Sequence, residues 1–399
     1  MRFLAFDGLR GLFSLLVVLA HVPAATVLRQ SGLSATGDTL VDLFFVFSGF
    51  VIAAGYETRL LQGYGTGRFL VERLGRIYPI HFVMLMVFIA TEIAFATVLG
   101  SLGQQGRVPF EGDKAMEAIF THLTLIHAWN VHDMPTWNYP TWSLSTEWAA
   151  YIVFAVALLV LRRRFATAAV VGIGVSILVL LTVAPNGMQS YHDYGVFRSI
   201  LGFSAGVLAY RAFDALNRRQ AFSALSRPVF TALEIGGLAG LFGLQVAFGA
   251  TEFAVALPLV FTLLMIVFAY GKGHLSALMG SRPLVYLGTI SLSIYVVHVW
   301  IIMRAGNVAA LAERMTGIDL VTYVSAGDAR YLELTLPPLA ANLLALGIVA
   351  IVVLVSHFTY RYVELPGQTL FRGFAKRLSP VAAASVPTDP ARLNPGPAR

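Results

Sequence analysis

The stretch FDGLRGLFSLLVVLAHVP, residues 6–23, is apolar enough to enter a lipid bilayer, yet it carries Asp7, Arg10 and His21. An α-helix turns by about 100° and rises by about 1.5 Å per residue, so Arg10 and His21 share one face about 16 Å apart. Ionisable groups inside a membrane usually face the protein interior or a wet cavity. The pattern predicts a polar pathway with a cation at its mouth and a proton acceptor deeper inside. The structural alternative is a snorkelling arginine and a histidine bonded to a neighbouring helix.

The composition indicates that the whole chain is a membrane protein. Of its 399 residues, 57% are hydrophobic and only 12% are charged, whereas about 25% of a soluble domain is charged. There is no cysteine, which excludes disulfides, thiolate metal sites and a cysteine nucleophile. The net charge of +7 follows the predicted topology described next, so it does not indicate binding to nucleic acid.

Ten apolar stretches are long enough to span a bilayer, which predicts an all-α, polytopic transmembrane helical bundle. Of the 28 Lys and Arg residues, 20 lie on one predicted side and six on the other, which places both termini in the cytoplasm. We expect a membrane domain over residues 1–367 and a cytoplasmic tail over 368–399, disordered from about residue 379. The predicted spans are residues 9–28, 38–57, 78–100, 143–161, 166–184, 196–212, 229–248, 252–270, 285–304 and 337–359.

Two regions on the predicted outer side are long. Residues 101–142 have apolar residues at helical spacing, then a Trp- and Pro-rich stretch, which predicts an amphipathic helix on or dipping into the outer face. The mixed sequence of residues 305–336 predicts one short helix. His122, His127 and His132 are spaced by five, which turns them off one helical face, so we assign no metal site to them.

Three other predicted spans carry polar residues that need an explanation. Asp42, in DLFFVFSGFVIA, lies near the outer end at about the depth of His21 and requires a partner, whereas Gly49 favours close helix packing. In PTWSLSTEWAAY, Glu147 would orient an imidazole, collect a substrate hydroxyl or cap its helix. In SIYVVH, His298 alone is more often a satisfied core residue. The same outer interface also holds Trp142, Ser143, Ser145 and Tyr295.

A basic cluster precedes the third predicted span in RFLVERLGRIYPIHF, residues 68–82. Arg73 and Arg76 are three residues apart and share one helical face. Guanidinium groups bind phosphate through two parallel hydrogen bonds, so a nucleotide-like cytosolic anion suits the cluster. The alternative is ordinary positive-inside bias with contacts to lipid phosphate.

The segments DGLRG, DLFFVFSGF, RLGRIYP, WSLSTEW, SIYVVH and YRYVELP, in this order, resemble the membrane acyltransferase-3 family. Its members are integral-membrane enzymes that acylate sugars of surface and secreted glycans. The resemblance covers about residues 5–367 and implies ten core helices. It also implies transfer of an acyl group, commonly acetyl, from cytosolic acyl-CoA to a hydroxyl on the far side. The family's R-x10-H pair is Arg10 and His21, its WSxxxEW-like glutamate is Glu147, and its basic element is Arg73 and Arg76.

The resemblance gives these residues expected roles. We expect His21 to be the general base, with Asp42 or Glu147 orienting it, and the three arginines to bind the CoA phosphates. Direct transfer and an acyl-histidine intermediate both stay open. The residues expected to contact the acceptor are Trp142, Ser143, Ser145, Tyr295 and His298.

The expected surroundings combine the resemblance with the residue patterns above and with the high Ala, Gly and Arg content, which favours a bacterial source. The donor is acyl-CoA, with acetyl-CoA first and succinyl or longer chains open, and no metal or nucleic acid is involved. Membrane lipids and a glycan or lipid-linked saccharide are the expected partners, in the bacterial cell inner membrane. The acceptor stays open between lipopolysaccharide O-antigen, exopolysaccharide, a lipid-linked glycan and a small secreted glycoside. The competing functions are a proton-coupled transporter of a small polar solute and a non-catalytic scaffold.

Overall fold

A computed structural model describes residues 2–32, 37–101, 108–326 and 329–378. Within these residues the chain is almost entirely helical, as predicted. Nine helical stretches there are long and apolar enough to cross a membrane. They match the ten predicted spans, because the stretch Tyr139–Thr182 contains two helices joined by the short turn Arg162–Arg164. The tail predicted to be disordered lies outside the described residues.

The described elements are numbered in chain order. The helices are α1 (Leu4–His21), α2 (Val27–Gln30), α3 (Gly37–Leu61), α4 (Thr66–Ser101), α5 (Glu117–Leu123), α6 (Trp142–Leu161), α7 (Phe165–Thr182), α8 (Gly195–Arg218), α9 (Arg227–Phe248), α10 (Leu257–Tyr270), α11 (His274–Met279), α12 (Arg282–Thr289), α13 (Ser291–Thr316), α14 (Pro338–Thr359) and α15 (Leu365–Arg377). The strands are β1 (Val321–Ala326) and β2 (Ala329–Leu334), and a π-helical turn, Tyr360–Glu364, joins α14 to α15.

Phenylalanine rings fill the core where α1 crosses α3. Phe6 lies 5.4 Å from Phe47 and 5.1 Å from Phe50, ring centre to ring centre, and all three are buried. The outer helices instead expose apolar side chains, such as Val171 on α7 and Leu346 on α14. Large exposed apolar side chains on the outside of a helical bundle are typical of a surface that faces lipid.

Glycines allow two helix pairs around the polar residues to approach until their backbones touch. A Cβ atom on Gly49 of α3 would lie 2.0 Å from the carbonyl oxygen of Phe203 on α8. A Cβ atom on Gly288 of α12 would lie 1.8 Å from the carbonyl oxygen of Asp7 on α1. No larger residue fits at either position without moving a helix, which confirms the packing interpretation of Gly49.

The region 305–336 differs from the prediction of one short helix. α13 continues to Thr316, and an antiparallel hairpin follows in which Val321 pairs with Leu334. The segments VTYVSA and ARYLEL contain β-branched and aromatic residues, which favour strands over a helix. The backbone N–H of Leu334 donates to the carbonyl oxygen of Pro23 at 2.7 Å, so the hairpin holds the chain just after α1.

Two helix starts also differ from the predicted limits. α4 begins at Thr66 rather than near residue 78, so the basic cluster lies on the helix itself. α13 begins at Ser291 rather than residue 285, because the preceding residues form the separate helix α12. The break falls at Ile290, directly after Gly288 and Thr289, two residue types that disfavour a helix interior.

Candidate active site

One cavity lies between α1, α3, α4, α6 and α13. It encloses about 840 Å³ of empty space, a figure that includes the part open to the outside. Its walls are apolar apart from a few hydroxyls, three guanidinium groups and one carboxylate, so they carry net positive charge. Six of the predicted site residues line it: Arg10, Arg73, Arg76, Ser143, Glu147 and Tyr295.

The arginines of α4 are held in place by neighbours on other helices. Arg73 Nη2 donates to the Tyr56 hydroxyl at 2.8 Å, and Arg76 Nη1 donates to Glu364 Oε2 at 2.8 Å. Glu364 is fully buried at the junction of α14 and α15. Arg10 of α1 is close enough to interact electrostatically with Arg76. The predicted anion-binding arginines therefore converge on one cavity.

Glu147 faces this cavity rather than His21. Its Oε1 accepts hydrogen bonds from Ser48 Oγ and from the Tyr151 hydroxyl, both at 2.6 Å. It also interacts electrostatically with Arg10. The structure therefore places Glu147 among hydroxyl groups and cations, in a position to contact a bound molecule, and not behind the imidazole that it was expected to orient.

His21 ends α1 and meets a second imidazole. Its Nδ1 lies 2.8 Å from the carbonyl oxygen of Val17, and its ring centre lies 4.9 Å from that of His298, edge to face. His298 Nδ1 lies 2.6 Å from the carbonyl oxygen of Tyr295. A carbonyl oxygen only accepts, so both Nδ1 atoms carry the hydrogen and both Nε2 atoms present a lone pair. Within the described residues, the buried Nε2 of His298 has no hydrogen-bond partner.

Tyr295 connects the histidine pair to the cavity. Its ring lines the cavity and lies 5.8 Å from the ring of His298. Its hydroxyl donates to the carbonyl oxygen of Pro140 at 2.7 Å and lies 2.9 Å from Ser143 Oγ. Tyr295 therefore lies between the cationic cavity and the two imidazoles, and neither His21 nor His298 lines the cavity itself.

Asp42 lies in a different group from the one predicted. Its two carboxylate oxygens accept from Arg198 Nε at 3.1 Å and Nη2 at 3.0 Å, and both side chains are fully buried. The Arg198 guanidinium also lies 4.7 Å over the ring of Trp142. A buried guanidinium is a stronger partner for a carboxylate than an imidazole is. No role was predicted for Arg198 from the sequence. The signal that could have indicated one is a cation within an apolar span, which requires a buried anion.

Ser145 braces the segment before α6. Its hydroxyl donates to the carbonyl oxygen of Leu125 at 2.7 Å and accepts from the backbone N–H of Ala128 at 3.2 Å. The indole N–H of Trp129 donates to the Ser145 carbonyl oxygen at 3.0 Å. Ser145 therefore fixes the position of the outer chain, and neither Ser145 nor Trp142 lines the cavity.

A separate group of histidines lies where the outer segment meets α4. One ring nitrogen each of His81, His122 and His127 lies within 4.8 Å of the others. The prediction that a spacing of five turns His122 and His127 off one face was wrong. The chain turns between them at Leu125, which has a φ of 57°, and their rings stack at 3.8 Å. His132 lies outside the group. Burial, reinforced by neighbouring imidazoles, lowers the pKa of both outer-segment histidines of the group well below the usual value.

Comparisons with known proteins point to one family. Protein 2 in the picA locus of Rhizobium radiobacter is 36% identical over 107 residues, which cover 25% of this chain and half of that relative. Acyltransferase MdmB of Streptomyces mycarofaciens is 26% identical over an alignment of 413 positions, which covers 97% of this chain and 96% of that protein. No solved structure matches this chain. The family model of the acyltransferase domain, acyltransferase-3, matches residues 3–366, nearly the whole chain. The chain therefore belongs to the acyltransferase-3 family and is a multi-pass membrane acyltransferase.

Proposed function

We propose that this protein moves an acyl group, in the first place acetyl, from cytosolic acyl-CoA to a hydroxyl of a glycan or glycolipid on the outer side of a bacterial inner membrane. The observation that carries the proposal is the position of Tyr295, which lines the arginine-rich cavity on one side and lies beside the pair of His21 and His298 on the other. One end of the site suits an anionic donor, and the other end offers a base.

The donor end fits the chemistry of coenzyme A. Arg10, Arg73 and Arg76 line the cavity on the side that the charge distribution assigns to the cytoplasm, and guanidinium groups bind phosphate oxygens in pairs. Arg10 and His21 are separated by about 16 Å along α1. That distance requires a long donor arm, such as pantetheine, to carry a thioester from the arginines to the imidazoles.

The histidine pair fits base-assisted transfer. His21 Nε2 takes the proton of the acceptor hydroxyl. At the same time the hydroxyl oxygen attacks the carbonyl carbon of the thioester. The new C–O bond forms, the C–S bond breaks, and the imidazolium returns the proton to the departing CoA thiolate. His298, whose Nε2 also presents a lone pair, accepts a hydrogen bond from the imidazolium that His21 becomes. A positioned general base contributes about 10²–10⁴-fold to the rate.

The acceptor end is suited to a sugar. Tyr139 lies 5.8 Å from His21, ring centre to ring centre, and 40% of its surface is exposed. An exposed aromatic ring beside the base offers an apolar face and a polar hydroxyl, both of which a saccharide uses.

A direct test uses the purified full chain in detergent with labelled acetyl-CoA and four acceptors: O-antigen, exopolysaccharide, a lipid-linked glycan and a secreted glycoside. We expect one acceptor to cause release of CoA thiol and to gain an equal amount of ester label. If none of the four acceptors causes folded protein to release CoA thiol, the proposal of a glycan acceptor is contradicted. Label found on the protein before acceptor is added contradicts direct transfer.

A further inference from the structure

We propose that His81, His122 and His127 form a binding site for a divalent transition-metal ion of the zinc class, which fastens the outer segment to α4. The three histidines come from two distant parts of the chain, α4 and the region around α5. One nitrogen of each lies within 4.8 Å of the other two, and all three side chains are buried. The site is separate from the acyltransfer cavity, whose lining includes none of these three residues.

Each imidazole is oriented through its Nε2 atom. His81 Nε2 donates to the carbonyl oxygen of His122 at 2.9 Å. His127 Nε2 lies 3.3 Å from Thr141 Oγ1, whose own hydrogen goes to a backbone carbonyl. His122 Nε2 lies 2.9 Å from Thr136 Oγ1. Metal-binding histidines are held in this way, with the second ring nitrogen fixed by a carbonyl or hydroxyl oxygen.

The Nδ1 nitrogens of the three rings have no partners in the described part of the chain. The Nδ1 atoms of all three histidines are buried and have no hydrogen-bond partner among the residues that the structure describes. For His81 and His127 the Nε2 contacts leave Nδ1 as a lone pair, because the hydrogen is on Nε2. Buried lone pairs cannot satisfy one another, whereas a cation within reach of one nitrogen of each ring satisfies all three once the parallel rings turn toward it.

Ligand chemistry favours zinc or a similar ion over calcium or magnesium. The cluster contains three imidazoles and neither carboxylate nor thiolate, and imidazole suits zinc, copper, iron and nickel. At metal–nitrogen distances of about 2.1 Å, tetrahedral ligands lie about 3.4 Å apart, so the stacked rings of His122 and His127 must splay to bind. Lys114 is the nearby cation. It forms an ion pair with Asp113, so the two residues together add no net charge to the site.

The site would fix the segment that carries Tyr139. Thr136 and Thr141, which hold two of the histidines, flank Tyr139 in the chain. Asn138, between them, donates to the carbonyl oxygen of Val296 on α13 at 2.9 Å. A metal ion would thus tie α4 to the same short segment that α13 already holds.

The test measures metal directly, without reference to activity. The full chain, purified in detergent and treated with chelator, is titrated with Zn²⁺ against a chromogenic competitor, and thermal unfolding is followed in parallel. We expect one Zn²⁺ per chain and a higher unfolding temperature with Zn²⁺. A folded wild-type chain that binds less than one equivalent overturns the site.

Variants locate the ion. His127→Gln should abolish stoichiometric binding, and Thr141→Val, which removes only the orienting hydroxyl, should weaken it by about 10–100-fold. The matched control is His132→Gln, which changes a histidine of the same segment outside the cluster and should bind as the wild type does. Equal Zn²⁺ binding by His127→Gln and the wild type overturns the assignment. If His127→Gln does not fold, the same comparison is made with Thr141→Val, and Zn²⁺ binding equal to that of the wild type overturns the assignment.

Discussion

The imidazole rings of His21 and His298 lie 4.9 Å apart, edge to face, although 277 positions separate them in the chain. Each ring donates from Nδ1 to a carbonyl oxygen of its own helix, at 2.8 Å for His21 and 2.6 Å for His298. Both Nε2 atoms are therefore proton acceptors in the neutral state. When one imidazole takes up a proton, the lone pair of the other lies beside it and stabilises the transient imidazolium.

His21→Ala should lower kcat for acetyl transfer by about 10²–10⁴-fold and leave KM for acetyl-CoA nearly unchanged, because it removes only the base. The double variant with His298→Ala should lose little more than His21→Ala alone, since the two rings act as a unit. Acceptor-dependent release of CoA thiol measures both. His274→Ala, at an exposed position, is the control. Unchanged transfer by His21→Ala would remove the proposed base.

Arg73→Ala should raise KM for acetyl-CoA by about 10–100-fold, the factor for one charge-assisted hydrogen bond. The KM for a phosphate-free donor, acetyl N-acetylcysteamine thioester, should not change. Steady-state kinetics with the two donors separates phosphate binding from general damage to the site. Arg219→Ala changes an exposed arginine on the same predicted side and should match the wild type. An effect of Arg73→Ala on the acceptor alone would contradict the assignment.

Asp42→Asn should destabilise the fold by about 3–5 kcal/mol, because it leaves the guanidinium of Arg198 buried without its anion. Replacing both, with Asp42→Leu and Arg198→Met, should cost less than either single change. Thermal unfolding in detergent measures the difference. If Asp42→Asn instead unfolds like the wild type and loses only kcat, Asp42 has the catalytic role expected from the sequence and not the structural one.

Gly49→Ala should destabilise the bundle by about 1–3 kcal/mol, because the new methyl group meets the Phe203 carbonyl oxygen of α8. Gly55→Ala, on the same helix, is the matched control, since a Cβ there meets no atom within 4 Å. Unfolding temperature and the yield of monodisperse protein report the effect. Equal stability of the two variants would contradict the prediction, because it would show that α3 and α8 move apart with no loss in the free energy of unfolding.

Much of the site was predictable from local sequence. Arg73 and Arg76 were expected on one helical face, and both line the cavity, because helical spacing of three residues fixes direction within one helix. Glu147 was expected to be functional for its charge, but its partners Ser48 and Tyr151 were not foreseen. The choice between neighbours depends on which helix lies beside α6, and hydrophobic periodicity does not specify that.

The sequence by itself determined the helical membrane bundle, its number of spans and the group of arginines, because bilayer crossing and helical faces depend on residues close together in the chain. Only the tertiary structure decided that Asp42 pairs with Arg198, that His21 meets His298, and that His81 joins two histidines of the outer segment. These contacts join residues on different helices, and the packing of helices against one another sets them.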